Sequence, residues 1–278
     1  MKIGLIGLGY WGKIILKNLE EMGYRDLVIC EKQEVDWQEV GSKYPLVKDY
    51  RDLGGCDKVF VLTPATLHYE VCKHFLERGV DVFCEKPLDL SSELCRNLFS
   101  IAAKNESVLF VDWLFVYNPA VKKIKSLISQ IGKPKNIIAN RMNYGPVRHD
   151  VNARWDLASH DVSIASYILD EEPKNVQWLD FRRDSSSAKE DSVVGILTFE
   201  NTCVQINASW SFGNKNRLYT LEFDSGFLYW NDSTRTLTWG GEDLNVEAES
   251  PLHNSIEAFL SGKTNESLTL EITKILNR

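Results

Sequence analysis

The feature that most constrains this chain is a cluster of three glycines close to its N-terminus. Gly7, Gly9 and Gly12 have the spacing GxGxxG. A short apolar run over residues 2–6 precedes them, and residues 13–22 follow with apolar side chains at helical spacing. A strand, a glycine turn and a helix in this order predict the start of a βαβ unit in a parallel, doubly wound sheet.

A turn of this kind is suited to binding a dinucleotide. Gly7 permits the tight turn, Gly9 lets the backbone approach a pyrophosphate, and Gly12 allows the helix to lie close to the strand. The first turn of the helix, which contains Tyr10 and Trp11, offers backbone N–H groups to the phosphate oxygens. We therefore predict that these five residues contact a dinucleotide. The alternative is a turn of the same shape that binds none.

The identity of the dinucleotide depends on the end of the next predicted strand, residues 26–30. Glu31 follows that strand, about 20 residues beyond the glycine turn. Its carboxylate can accept hydrogen bonds from the adenosine ribose hydroxyls, whereas a 2′-phosphate would meet a like charge. NAD is therefore the predicted cofactor. Lys32, directly after it, leaves NADP as an alternative, and Glu31 itself has the alternative of an ordinary solvated carboxylate.

Strands and helices continue to alternate through the first part of the chain. Apolar runs predict strands over residues 58–62, 81–84 and 108–111, and helical spacing predicts helices over residues 67–78 and 91–104. This order is typical of an α/β Rossmann domain with a doubly wound parallel sheet.

A seam between domains follows, where Pro119 disfavours helical geometry in Asn118. We predict a first domain of residues 1–118 and a second of residues 119–278. Beyond the seam, helices are predicted over residues 121–131 and 161–168, but patterns typical of β-strands predominate. Those strands are predicted over residues 136–143, 175–183, 192–199, 202–210, 218–223 and 226–230, with a loop at 184–189. The second domain is therefore expected to be α+β with a largely antiparallel, open sheet.

The composition argues against several classes of function. Lys and Arg number 32 against 39 Asp and Glu, a net charge of −7 without a basic block, so we expect no nucleic acid or membrane partner. No apolar run approaches the roughly 20 residues that span a bilayer, and no signal peptide is evident, so a cytoplasmic protein is expected. The six cysteines include no CxxC pair. We therefore expect buried free thiols and no metal site.

Polar and proline residues follow the third and fourth predicted strands, at the sheet edge where open α/β sheets bind ligands. They are Thr63, Pro64, Glu85, Lys86 and Pro87, with His68 at the start of the next helix. Together with the glycine turn, this series resembles the glucose-fructose oxidoreductase and inositol dehydrogenase family, written Gfo/Idh/MocA. The resemblance implies that these residues surround the nicotinamide. For His68 a structural role is an equal alternative.

The resemblance also implies that Lys86 contacts both the cofactor region and the reacting oxygen. An ammonium near a hydroxyl favours the developing alkoxide and can transfer a proton. The alternative is an ordinary surface lysine. Pro87 is expected to fix the turn, since family members often have this proline in a cis peptide.

The resemblance continues in the second domain through the segment from Asp156 to His160. These two residues are four apart, so a helix would place both on one face. Histidine exchanges protons near neutral pH, and Asp156 can hold the ring or bond the substrate. In the family the matching pair flanks the reacting alcohol. The alternatives are a surface histidine and a helix-capping aspartate; Asp161 is expected to be a capping or structural carboxylate.

Further residues resemble one branch of the family, which acts on nucleotide-linked sugars. They are residues 9–12, Phe115, residues 117–119 with Tyr117, and residues 145–152 with Arg148 and Asn152, which lead into residues 155–157. The branch oxidises a ring hydroxyl, often at C3, or reduces the ketone, by hydride transfer to or from nicotinamide C4. Arg148 suits a substrate carboxylate or diphosphate, with a loop salt bridge as its alternative, and Asn152 suits sugar hydroxyls.

Two departures from the branch leave the substrate open. Trp113 stands where branch members commonly have histidine, and residues 151–155 replace a stretch that is glycine-rich in many relatives. The leading hypothesis is an NAD-dependent sugar or nucleotide-sugar dehydrogenase, which requires Lys86 and His160 to meet at one bound alcohol. The alternatives are a non-catalytic NAD(P)-binding sensor, or a reductase of a non-sugar carbonyl or imine.

The predicted open sheet also has a consequence for assembly. Such a sheet rarely leaves a whole face in water, and relatives pair through it, so we expect a homo-oligomer formed through the C-terminal sheet. Four tryptophans in or beside its strands either line that interface or fill a core. They are Trp178, Trp210, Trp230 and Trp239.

Overall fold

The fold is that of a computed structural model, which describes residues 1–33, 43–148, 150–183, 185 and 188–278. His149 of the segment 145–152, and residues 184, 186 and 187 of the predicted loop, lie outside the described residues. The chain divides into two compact units. The first comprises residues 1–112 and 252–270, and the second comprises residues 113–251 and 271–278.

The first unit is built on a six-stranded parallel sheet with the strand order β3-β2-β1-β4-β5-β6. This confirms the predicted doubly wound sheet. The one strand that was not predicted, β3, is only two residues long, too short for a pattern to show. The strands are β1 (Ile3–Ile6), β2 (Leu27–Cys30), β3 (Leu46–Val47), β4 (Lys58–Val61), β5 (Asp81–Cys84) and β6 (Leu109–Val111).

The helices between these strands follow the predicted alternation. Helix α1 buries the apolar stripe Ile15, Leu16 and Leu19 against the sheet. Helix α3 begins at the cap Ser91, whose hydroxyl accepts the N–H of Leu94 at 3.3 Å. Their bounds are α1 (Tyr10–Glu21), α2 (His68–Leu76) and α3 (Ser92–Lys104).

A C-terminal segment completes the first unit, which the predicted division at residue 118 did not include. Helix α6 (Pro251–Leu260) carries the buried Phe259, whose ring packs on a row of three phenylalanines from adjacent strands. The centroid distances are 5.3 Å to Phe60 of β4, 5.6 Å to Phe83 of β5 and 6.0 Å to Phe110 of β6. This aromatic contact is one physical reason why residues 252–270 belong to the first unit.

The second reason is the edge of the parallel sheet. The side-chain oxygen of Asn265 accepts the Val111 N–H at 3.0 Å, and its amide group donates to the Val111 carbonyl at 2.7 Å. Thr264 donates its hydroxyl to the carbonyl of Leu109 at 2.9 Å. Side chains from the C-terminal segment thus satisfy backbone groups of edge strand β6, which would otherwise be unpaired.

The second unit contains a nine-stranded sheet with the order β15-β14-β13-β12-β7-β10-β9-β8, and β11 also pairs with β7. All neighbours are antiparallel except β7 and β10, so the predicted largely antiparallel sheet is confirmed. The strands are β7 (Asn136–Tyr144), β8 (Asn175–Phe181), β9 (Ser192–Thr198), β10 (Cys203–Ser209), β11 (Ser211–Asn216), β12 (Leu218–Phe223), β13 (Gly226–Asn231), β14 (Thr236–Trp239) and β15 (Glu242–Asp243).

Helices accompany this sheet, as predicted. They are α4 (Pro119–Ile131), α5 (Ser159–Leu169), a π-helical turn (Arg154–Ala158) that runs directly into α5, and a 3-10 turn (Leu114–Tyr117). The last helix, α7 (Glu266–Leu276), begins in the first unit and ends in the second. None of the helices in the described ranges is long and apolar enough to cross a membrane.

The four tryptophans belong to the core side of the second sheet. Trp210 and Trp230 are each 1% exposed. Trp178 and Trp239 are half-buried and lie two residues from buried neighbours on their strands, hence on the same face. Trp239 also contacts the buried Phe223, with ring centroids 5.3 Å apart. The interpretation of these tryptophans as core residues is therefore the one that the structure supports.

Candidate active site

The glycine turn between β1 and α1 uses each glycine for a different reason. Gly7 has φ +96°, and a Cβ there would lie 2.8 Å from the carbonyl oxygen of Leu62. A Cβ on Gly12 would lie 2.1 Å from the carbonyl oxygen of Gly7. A Cβ on Gly9 would meet no atom within 4 Å. The protein itself therefore requires Gly7 and Gly12, whereas Gly9 keeps a space open, as an approaching pyrophosphate needs.

The first turn of α1 is also suited to an anion. Gly9 is the N-cap and supplies no side-chain acceptor to the helix N–H groups, and no acidic side chain lies in the first turn. Tyr10 is 83% exposed, and Trp11 is half-buried. The backbone N–H groups that begin a helix are thus left to a ligand, and the residues present fit a dinucleotide phosphate.

Glu31 is fixed beside this turn. Its Oε2 accepts the N–H of Leu8 at 2.7 Å, and its Oε1 accepts the N–H of Gln33 at 2.9 Å. Both oxygens retain acceptor capacity, because a carboxylate has about four acceptor sites. The structure thus places a negative charge against the glycine turn, while the neighbouring Lys32 is exposed.

The two turns that follow β4 and β5 are joined by a buried histidine. His68 is 1% exposed. Its Nδ1 lies 2.7 Å from the carbonyl oxygen of Pro87, and its Nε2 lies 2.8 Å from that of Thr63. The ring therefore connects the Thr63-Pro64 turn to the Glu-Lys-Pro turn, a positioning role that fits the structural alternative for His68.

Lys86 lies in the second of these turns, two residues beyond β5, and is 7% exposed. The peptide between Lys86 and Pro87 is cis, as the resemblance implied. Glu85 Oε2 accepts the backbone N–H of Lys86 at 3.2 Å. The first unit thus brings together the predicted residues Thr63, His68, Glu85, Lys86 and Pro87 at the carboxyl ends of adjacent strands.

A buried carboxyl group that the sequence analysis missed lies at the end of the next strand. Asp112 follows β6 and is 1% exposed, and its Oδ1 accepts the hydroxyl proton of Ser255 at 2.5 Å. Burial raises the pKa of Asp112 to about 6, while the Ser255 hydrogen bond and the positive charge of Lys86 oppose that rise. No local pattern identifies this contact, because the two residues are 143 positions apart.

The second unit presents Asp156 and His160 where the π-helical turn meets α5. Asn152 begins this turn: its Oδ1 accepts the N–H of Trp155 at 3.2 Å, and its carbonyl accepts that of Asp156 at 3.0 Å. Single π-helical turns within α-helices occur frequently at functional sites. The structure shows Asn152 in a capping contact, and its predicted bond to a sugar hydroxyl stays a prediction.

Two side chains hold the Asp156 carboxylate. Its Oδ2 accepts the indole N–H of Trp210 at 3.0 Å, and its Oδ1 lies 3.5 Å from Nη1 of Arg148. Arg148 also donates to both carboxylate oxygens of Asp150, at 2.9 and 2.5 Å. The loop salt bridge considered for Arg148 is thus present, and the same guanidinium reaches Asp156. Trp210 is a residue that sequence reasoning did not connect with the site.

His160 is held through aromatic contacts. Its ring centroid is 5.0 Å from that of Phe115, at an interplanar angle of 69°. The guanidinium of Arg141 lies over the ring of Phe115, 4.2 Å from its centroid.

Arg141 is fully buried and donates to Asp161 at 2.8 Å and to the hydroxyl of Tyr219 at 3.1 Å. Asp161 is thus a buried partner of Arg141, in line with a structural role, and Tyr117 lies half-buried in the 3-10 turn that also carries Phe115.

The chain contains six cysteines. All six are free thiols, and five of them are buried, as predicted. Within the described ranges, no group of three or more His, Cys, Asp or Glu side chains is arranged to hold a metal ion.

A parallel sheet with this glycine turn, an uncapped helix start and a fixed strand-end carboxylate defines a Rossmann dinucleotide-binding protein. Residues 1–113 match the model of an oxidoreductase family with an NAD-binding Rossmann fold, GFO/IDH/MocA. Residues 121–229 match the GFO/IDH/MocA C-terminal domain. The chain therefore belongs to the GFO/IDH/MocA oxidoreductase family, and its first unit is the NAD-binding Rossmann domain of that family.

Two curated relatives have sequences similar to part of this chain. The UDP-N-acetylglucosamine 3-dehydrogenase of Acidithiobacillus ferrooxidans is 25% identical over 210 residues, which cover 73% of this chain and 65% of the relative. The myo-inositol 2-dehydrogenase of Thermotoga maritima is 28% identical over 190 residues, which cover 63% of this chain and 57% of the relative. The chain thus matches less than two thirds of the length of either protein.

Solved structures show the same fold over nearly the whole chain. The structure of the UDP-N-acetylglucosamine 3-dehydrogenase GnnA from Acidithiobacillus ferrooxidans gives a TM-score of 0.89 at 20% identity, covering 100% of this chain and 95% of that one. The WlbA dehydrogenase of Bordetella pertussis, in complex with NADH and UDP-GlcNAcA, gives 0.83 at 20% identity, covering 98% and 92%. At these identities the similarity concerns the fold.

Proposed function

We propose that this protein is an NAD-dependent dehydrogenase or reductase that transfers a hydride between nicotinamide and a ring carbon of a sugar or nucleotide sugar, at C3. One observation carries the proposal. Lys86 is nearly buried at the carboxyl end of β5, within the same unit as the NAD-binding turn. A buried ammonium at the ligand-binding edge of a Rossmann sheet is costly unless it has a function or a partner there.

The side chains of the second unit support an acid–base role. Trp210 and Arg148 hold the carboxylate of Asp156 on the π-helical turn, and Phe115 packs against the ring of His160. Groups with fixed orientation are what proton transfer requires. We propose that Lys86 and His160 are catalytic residues and that Asp156 orients the substrate or the imidazole.

In the oxidation direction, the alcohol loses a proton from oxygen and a hydride from carbon. Bound NAD would supply the hydride acceptor. In this proposal His160 accepts the proton, while the Lys86 ammonium stabilises the negative charge that develops on the oxygen. The carbonyl forms as the C–H bond breaks, and reduction of a 3-keto sugar is the same process in reverse. Tyr117, Arg148 and Asn152 are proposed to contact the substrate.

Turnover with a panel of UDP- and dTDP-linked sugars tests the proposal. Purified protein with NAD is expected to produce the absorbance of reduced nicotinamide with at least one of them. Lys86→Ala and His160→Ala should lower kcat by a factor of about 100 or more, whereas Lys104→Ala, on the exposed face of α3, should not. Tight NAD binding without turnover would instead favour a sensor, and turnover of non-sugar carbonyls or imines alone would favour the third hypothesis.

Self-association is part of the same proposal. Apolar side chains lie on the face of the nine-stranded sheet opposite the buried one, a pattern typical of an interface. They are Ile138, Leu179, Phe181, Phe227 and Tyr229, each between 37% and 63% exposed. We propose a homo-oligomer formed through this face, and Leu179→Glu should lower the mass measured by light scattering. A cytoplasmic location is also proposed, supported by six free cysteines, which fit a reducing compartment.

A further inference from the structure

A carboxyl group outside the proposed proton-transfer set lies one strand away from Lys86. Asp112 directly follows β6, and its backbone N–H donates to the carbonyl of Cys84, the last residue of β5, at 2.9 Å. Lys86 lies two residues beyond that carbonyl. The turns that carry Asp112 and Lys86 therefore leave the sheet side by side.

Helix α6 fixes this carboxyl group from a distant part of the sequence. Ser255, 0% exposed, donates its hydroxyl to Oδ1 of Asp112 at 2.5 Å. The other oxygen, Oδ2, is buried and accepts no hydrogen bond from a described residue. Because Phe259 packs α6 on the phenylalanine row of the sheet, the position of Ser255 is set by the core of the unit.

Asp112 and Lys86 are ionisable groups that can carry opposite charges. Asp112 is 1% exposed and Lys86 is 7% exposed, so both groups have lost most of their water. A buried ammonium or carboxylate is stable when an opposite charge is close. Burial raises the pKa of Asp112, and the hydrogen bond from Ser255 and the positive charge of Lys86 lower it.

We propose that Asp112 is a positioning residue for the Lys86 amine, and that Ser255 of helix α6 fixes the Asp112 carboxyl for this purpose. The inference rests on the proposed function, because it assigns Lys86 a catalytic role. The carboxylate attracts the Lys86 ammonium and limits where that ammonium can lie. A helix without a recognised motif thereby contributes to the site.

The first test requires no turnover. Protein labelled with ¹³C at the aspartate carboxyl carbon is titrated by NMR, and the Asp112 signal is assigned by its loss in Asp112→Asn. In Lys86→Met the pKa of Asp112 should rise by at least half a unit, because the favourable charge is gone. In Lys104→Met, which removes an exposed charge from α3, it should not move. An unchanged Asp112 titration in Lys86→Met would overturn the inference.

The second test measures catalysis. Asp112→Asn and Ser255→Ala should each lower kcat about tenfold, a size typical of partners of reacting groups, with the Kd for NAD unchanged. Glu257→Gln, an exposed charge change on the same helix, is the matched control.

The two tests separate the inference from the proposed function. Coupling in the NMR titration without turnover by the wild-type protein would retain the Asp112–Lys86 pair and contradict the dehydrogenase assignment. Turnover by the wild-type protein, combined with wild-type kcat in Asp112→Asn, would retain the dehydrogenase and contradict the positioning role.

Discussion

Replacing Gly9 by alanine separates cofactor binding from folding. Gly9 has φ −66° and ψ −165°, a conformation that alanine adopts without strain, and the added methyl group meets no protein atom within 4 Å. Alanine also loses less entropy on folding, worth about 0.4–1 kcal/mol. It is a poorer N-cap than glycine, at a cost of a similar size. These two effects offset each other, so the free energy of unfolding should change little.

Binding of NAD should respond very differently. The methyl group occupies the space through which the pyrophosphate would approach the backbone. We expect the Kd for NADH to rise about 10- to 100-fold, equivalent to about 1.4–2.8 kcal/mol. Calorimetry or the fluorescence of bound NADH measures this change, and thermal unfolding measures stability in the same preparations.

Two further glycines provide the comparison. Gly54→Ala, also in open space within the first unit, should alter neither quantity. Gly12→Ala should unfold the protein or lower its Tm strongly, because the new Cβ would lie 2.1 Å from the Gly7 carbonyl oxygen. Wild-type affinity for NADH in a folded Gly9→Ala protein would refute the assignment of this space to the pyrophosphate. A strong loss of stability in Gly9→Ala would refute the steric argument itself.

Three other substitutions have defined outcomes. Glu31→Gln removes the charge beside the glycine turn and should raise the affinity for NADP relative to NAD by about tenfold or more; an unchanged ratio of the two Kd values would contradict the role of the carboxylate. Phe259→Ala should lower the free energy of unfolding by about 3–5 kcal/mol in denaturant titrations, because the ring is fully buried; a loss below 1 kcal/mol would show that α6 contributes little to the core. Trp210→Phe removes the indole N–H from Asp156 and should lower kcat severalfold with NAD binding intact; a matching loss of NAD binding would indicate a general structural defect instead.

The glycine turn and the carboxylate beside it were predictable because their signals are local. The glycine spacing, the apolar run before it and Glu31 after the next strand all lie within 31 residues. The Glu-Lys-Pro turn was placed by its position after an apolar strand. Short elements escaped prediction: β3 has two residues, and β11 contains Gly213 within a polar segment that shows no alternation.

The contacts that hold the side chains of the candidate site were not predictable, because they join distant residues. Ser255 reaches Asp112 across 143 positions, and Trp210 reaches Asp156 across 54. Arg141 is fully buried in a strand, where a sequence pattern gives an arginine no interior partner. Each of these contacts depends on tertiary packing, which local propensity and periodicity do not contain.

The return of residues 252–270 to the first unit has a consequence for biosynthesis. Asn265, which covers the Val111 edge of the parallel sheet, is 154 positions downstream of it. At ribosomal speeds of 5–20 residues per second, that distance takes roughly 8 to 30 s to translate. The nascent Rossmann sheet therefore leaves the ribosome with a bare edge strand, which can pair with other chains. A gene fragment that stops at residue 112 or 118 encodes the sheet in that unfinished state, permanently.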